Sequence, residues 1–96
     1  MRIARVIGSA VATVKAPSLV GHKLLVVREA DERNEVTGPA FVAVDVVGAG
    51  SGELVLLAEG SGARETSTTT DQPVDAIIVG ILDSLEVDGT VTFRKS

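Results

Sequence analysis

Cysteine, tryptophan and tyrosine are missing from the 96 residues, and phenylalanine occurs twice. Without thiols there is no disulfide, no thiolate nucleophile and no cysteine-based zinc site. That composition fits a reducing compartment. Phe41 and Phe93 alone cannot form the aromatic platform on which single-stranded nucleic acid stacks. Nine Lys and Arg face 13 Asp and Glu, for a formal net charge of −4. The clustered positive charge that phosphate recognition requires is therefore lacking, and no nucleic-acid partner is expected. Long apolar runs are scarce as well. The longest, AIIVGIL at 76–82, has seven residues, where a membrane helix needs roughly 20. No membrane partner is expected. The opening stretch MRIARVIGSAVATV carries Arg5 and no small-residue cleavage site, so no signal peptide is expected either.

What is abundant is aliphatic surface. Hydrophobic residues make up 45% of the chain, whereas a domain of this size buries only about 60–65% of its unfolded surface. The surplus points to burial against other protein. Residues 2–14 read as a strand that is apolar on both faces. Ile3, Ile7 and Val11 share one face; Ala4, Val6, Gly8, Ala10, Ala12 and Val14 share the other. KAPSLVG breaks it with Pro17 and Gly21. HKLLVVREA is a second strand, DERNEVTGP a solvated hairpin tip, AFVAVDVV a third strand and ELVLLAE a fourth. Residues 60–73 read as a polar loop with a helical turn near Ser61 to Ala63. VDAIIVGILDSLEV (74–87) has both four-residue and two-residue spacing, and its β-branched content and Gly80 favour a strand. The pattern predicts an all-β domain, a five-stranded barrel or sandwich over residues 1–88. Residues 89–96 form a tail that is either an edge strand or flexible.

Candidate chemistry is sparse. Gly48, Gly50 and Gly52 give G-x-G-x-G between two strands, without the G-x-G-x-x-G spacing or the following helix of a phosphate cradle. The loop is a turn requiring positive φ, or a point of close backbone approach. His22 is the only histidine and reads as a surface residue. Asp45, Asp75 and Asp83 interrupt apolar strands. Each caps a turn, faces solvent or pairs with an arginine such as Arg5 or Arg64; an enzyme reading would need Asp45 and Asp75 to converge in a pocket. No catalytic residue, metal ligand or cofactor is expected.

Four blocks in order, MRIARVIGSAVATVKAPSLVGHKLLVV, VAVDVVGAGSGELVLL, GSGAR and PVDAIIVGILDSLEV, closely resemble the EutN/CcmL family of vertex proteins from bacterial microcompartment and carboxysome shells. The resemblance covers residues 1 to about 88. It implies a small OB-like barrel assembled as a cyclic homopentamer that caps the vertices of a shell in the bacterial cytoplasm. Its partners would then be copies of itself and hexameric or pseudohexameric shell proteins. Around a five-fold axis identical loops converge, so Gly48, Ala49, Gly50, Ser51 and Gly52 are expected near the central opening, with Glu53 close to the rim. GSGAR (60–64) is the alternative occupant of that place. Ile3, Ile7, Val11, Ile78 and Leu82 are expected at the subunit interface, with Arg5, Arg64 and Asp75 either intersubunit charge pairs or solvated. The rival readings are an OB module that binds a ligand or nucleic acid, a small enzyme, and a ring that acts without a shell.

Overall fold

The computed structural model describes residues 1–13, 15, 17–59 and 76–96. Its organising strand is β1 (Arg2–Ala10), which pairs antiparallel with β2 (Lys23–Ala30) on one side and β4 (Leu54–Glu59) on the other. β2 pairs with β3 (Phe41–Asp45), and β4 with β5 (Ala76–Ile81). A two-residue parallel contact, Val44 to Ile77 and Asp45 to Ile78, joins β3 to β5 and closes the barrel in the order β1-β2-β3-β5-β4. The expected OB-like five-stranded barrel is thus what forms.

Closing five short strands requires sharp curvature, and bulges supply it. One interrupts the β1–β2 register between Val6 and Gly8, another the β4–β5 register between Leu56 and Leu57. The interior is filled by aliphatic side chains, most of them small or β-branched. Ala4, Val6, Leu25, Val27, Ala43, Val55, Leu57 and Ile78 form it, with Phe41 and Ile81 packed at its margin. A second cluster lies apart from this interior: Val44 and Ile77, packed against Leu19, Leu24, Ala58 and Val79. Leu19 comes from a 3-10 turn, Pro17–Leu19, in the segment where proline breaks the first strand. The helical turn expected near Ser61 to Ala63 lies outside the described residues.

Two boundaries differ from the sequence expectation. β1 ends at Ala10, short of residue 14. The segment 74–87 is divided: β5 stops at Ile81, Leu82 N–H donates to the Leu54 carbonyl (2.9 Å), and β6 (Ser84–Val87) begins beyond Asp83. β6 pairs with β7 (Thr90–Arg94) as a separate two-stranded ribbon. The turn between them places Asp88 and Gly89 at positive φ, as two-residue hairpins of this kind demand. Lys95 N–H to the Asp83 carbonyl (2.8 Å) extends the ribbon's ladder by one rung, and the Thr92 hydroxyl, donating to the Glu32 carbonyl (2.7 Å), ties the ribbon to the loop after β2. DERNEVTGP is the exposed tip that was expected, organised by the Asp31 carboxyl, which accepts from Arg33 and Glu35 N–H.

Candidate functional site

The loop from Val46 to Glu53 is built by Asp45, the one buried charged residue among those described (4% exposed). Its Oδ1 accepts from Val47 N–H (3.0 Å) and Gly48 N–H (3.1 Å), and its Oδ2 from Ala49 N–H (2.9 Å). An aspartate at the end of a strand, followed by a chain that must turn at once, supplies acceptors the sheet no longer provides. Gly48 and Gly52 adopt φ of +83° and +87°, a region costly for residues with a Cβ. Beyond the turn, the chain is fastened back onto β1: Gly52 N–H donates to the Val6 carbonyl (2.8 Å) and Val6 N–H to the Glu53 carbonyl (2.9 Å). The Arg5 guanidinium donates to the Gly52 carbonyl (2.8 Å). The loop is therefore a turn pinned by hydrogen bonds at both ends.

Gly50 is different. Its φ is not positive, and a Cβ built there would meet only the Glu53 carboxylate, at 3.6 Å. Neither backbone conformation nor crowding within the protomer requires glycine at this position. Gly48, Gly50, Ser51 and Gly52 are exposed, whereas Ala49 is 2% exposed and its methyl belongs to the barrel core. Ala49, expected near the central opening with its neighbours, turns its methyl into the barrel core. Two clefts meet at the loop. One, of about 480 Å³, lies between the loop, the end of β1 and the start of β2, and His22 and Val11 line it. The other, of about 400 Å³, is bounded by Arg5 and the segment Phe93 to Ser96, and Ser51 lines both.

The barrel wall shows which strand faces turn outward. On β1 the small row, Ala4 and Val6, is buried, and Ile7 on the opposite row is 48% exposed. Val11, just past β1, is fully exposed. Register carries this apolar surface sideways: Gly8 stands opposite Val26 and Val26 opposite Val42, itself 50% exposed. Ile3 and Leu82 are half-buried. Ile78 is corrected: it is fully buried in the protomer's own core, because β5 presents that position to the barrel interior. Val26 and Val42 extend the outward patch but were not singled out from the sequence, where the two faces of HKLLVVREA and AFVAVDVV are equally apolar. Arg64, Asp75 and GSGAR lie outside the described residues. His22 is half-buried beside Lys23, and Asp83 is exposed.

The class these features define is a closed β-barrel module whose buried carboxyl group is bonded to its own loop and whose outer wall carries exposed aliphatic side chains. Comparison with known proteins gives that class a family. A family profile described as "Ethanolamine utilisation protein EutN/carboxysome" matches residues 1–83. The carboxysome shell vertex protein CcmL of Synechocystis sp. is 43% identical over 95 residues, 99% of this chain and 95% of the relative. The bacterial microcompartment shell vertex protein PduN of Salmonella typhimurium is 48% identical over 89 residues, 88% of this chain and 98% of the relative. Among solved structures, the GrpN pentameric microcompartment shell protein from Rhodospirillum rubrum superposes with a TM-score of 0.79 at 44% identity, covering 91% of this chain and 99% of that one. The chain belongs to the EutN/CcmL family.

Proposed function

We propose that this protein is a non-enzymatic structural subunit that forms homopentamers and caps the vertices of a bacterial microcompartment shell in the cytoplasm. The observation that carries the reading is the aliphatic surface left uncovered on a barrel whose interior is already filled: Ile7 at 48%, Val42 at 50% and Val11 fully exposed. A head-to-tail contact that repeats with a fixed rotation closes into a ring, and each such contact needs an apolar centre to be permanent. Relatives named as shell vertex proteins, and a neighbour described as pentameric, support five as the number of copies. The mechanism is geometric. A five-fold unit set among hexameric or pseudohexameric shell proteins introduces the curvature that closes a flat layer, and its partners touch it along the ring's rim.

Within the ring, Ile3, Ile7, Val11 and Leu82 contribute to the subunit contact, together with Val42, and Arg64 and Asp75 are charges available to it. Gly48, Gly50, Ser51 and Gly52 surround the five-fold axis. Gly50 supports that placement, because its missing side chain has no reason inside one protomer and has one where five backbones converge.

The function is tested by deleting this chain while its cognate hexameric shell proteins and cargo are expressed. Loss of vertices is expected to give open or elongated shells by electron microscopy, restored on re-expression. Closed, isometric shells in its absence would overturn the reading.

A further inference from the structure

The ribbon of β6 and β7 reaches the glycine loop through the Glu53 carboxylate. Glu53 Oε1 accepts from Gly50 N–H (2.6 Å), and its Oε2 lies 2.9 Å from Lys95 Nζ. The Glu53 side chain is 24% exposed. Lys95 is itself fixed, its N–H bonded to the Asp83 carbonyl where the chain enters β6. A second connection runs beside the first. The Arg5 guanidinium lies 5.9 Å from the centre of the Phe93 ring on β7, close enough for cation–π attraction, and it also holds the Gly52 carbonyl. Phe93 on β7 and Lys95 just past it, two positions apart, thus reach two glycines of the loop through one intermediate residue each. The loop's other supports are Asp45, which holds the N–H groups up to Ala49, the Val6 backbone at its end, and the backbone bond from Glu53 N–H to the Gly50 carbonyl (3.2 Å). Only Glu53 among the described side chains fixes its exposed middle, at Gly50.

We propose that Lys95 is a positioning residue for the glycine loop: acting through Glu53, it lets the ribbon set the conformation of the backbone at Gly50. The coupling stands within one protomer; its consequence for the centre of a ring rests on the proposed function. Charge sets its range. Hydrogen bonding to Lys95, then to Gly50 N–H, holds the Glu53 carboxyl below the ordinary glutamate range, and Glu53 raises the Lys95 ammonium above the ordinary lysine value. A lowered carboxyl pKa means that the contact is complete above the ordinary glutamate value and is lost as pH falls through the depressed one. The raised lysine value keeps it through neutral pH and releases it only in alkali. The other charged groups around the pair are Arg5 on β1, Arg94 on β7 and Asp83 before β6.

The test is amide hydrogen exchange of the assembled protein, with the Glu53 carboxyl followed by NMR. In Lys95→Met, Gly50 N–H is expected to lose about tenfold in protection, as a local opening, while Val27 and Leu57 amides in the barrel keep theirs. Glu53 should titrate at higher pH than in the parent, and Lys95→Arg should restore both properties. If Gly50 protection is unchanged in Lys95→Met, or falls equally across β2 and β4, the coupling is refuted. If Glu53 titrates as before in Lys95→Met, it is refuted as well. Neither readout depends on the number of copies in the ring, so a failure here is distinguishable from a failure of the vertex reading.

Discussion

Ile7→Asp combined with Val11→Asp is expected to break the assembly into single protomers while leaving the barrel folded. Both side chains are already accessible in the protomer, Ile7 at 48% and Val11 completely. Neither contributes to the core, and surface changes of this kind usually alter stability by no more than about 0.5 kcal/mol, with a further cost for aspartate in a strand. In a ring the balance reverses. Each contact would bury carboxylates against aliphatic side chains, and an unpaired polar or charged group in such a place costs several kcal/mol. Since every 1.4 kcal/mol is about tenfold in affinity, two such groups per contact outweigh a standard interface at micromolar concentration. Light scattering coupled to size exclusion reads the mass, and far-ultraviolet circular dichroism reads the retained strands. An undiminished ring in the double variant would move the interface elsewhere on the wall.

Asp45→Ala is expected to cost roughly 2–4 kcal/mol, because it removes the acceptor of three buried or half-buried N–H groups at once. Val47, Gly48 and Ala49 lose their partners together, and Ala49 is part of the core. Asp45→Asn separates the contributions. It keeps one oxygen for the Oδ1 role but turns an NH₂ toward Ala49 N–H, so an intermediate loss is expected. Denaturant unfolding at a fixed protomer concentration measures both, since any assembly adds stability by mass action. If Asp45→Ala unfolds with the parent's midpoint, the loop does not depend on this residue.

The strands of the barrel were readable because they are short, β-branched and separated by Gly, Pro and charged turns. β2 (Lys23–Ala30) and β4 (Leu54–Glu59) fall within the segments read as strands. The face that points inward was not readable, since Ile3 and Ile7 look as core-like as Ala4 and Val6. On β1 the interior takes the small row, Ala4 and Val6, beside the larger Ile78, Leu25 and Leu57 of other strands, and Ile7 is turned outward. The break at Leu82 and Asp83 was hidden for a similar reason. Two-residue periodicity continues across it, and the ladder reaches one bond past β5, from Leu82 N–H to the Leu54 carbonyl, before the chain leaves β4 at Asp83. Residues 89–96, read as an edge strand or a flexible tail, include β7, which is paired with β6.

In the loop, positive φ at Gly48 and Gly52 was legible from glycine between two strands. Asp45 as a turn cap was among the roles foreseen. The partnership of Glu53 with Lys95 was not, because the two lie 42 positions apart and meet only after the ribbon folds back. Ile78 was misplaced for the complementary reason: a strand apolar on both faces does not announce which side is interior.

The most direct test of the account is the mass of the native chain in solution at micromolar concentration. On the proposed function, copies of the chain cover the exposed aliphatic wall, and a mass of about five times the 9.9 kDa protomer is expected. A well-folded species that stays at 9.9 kDa, with Ile7, Val11 and Val42 open to solvent, would contradict it.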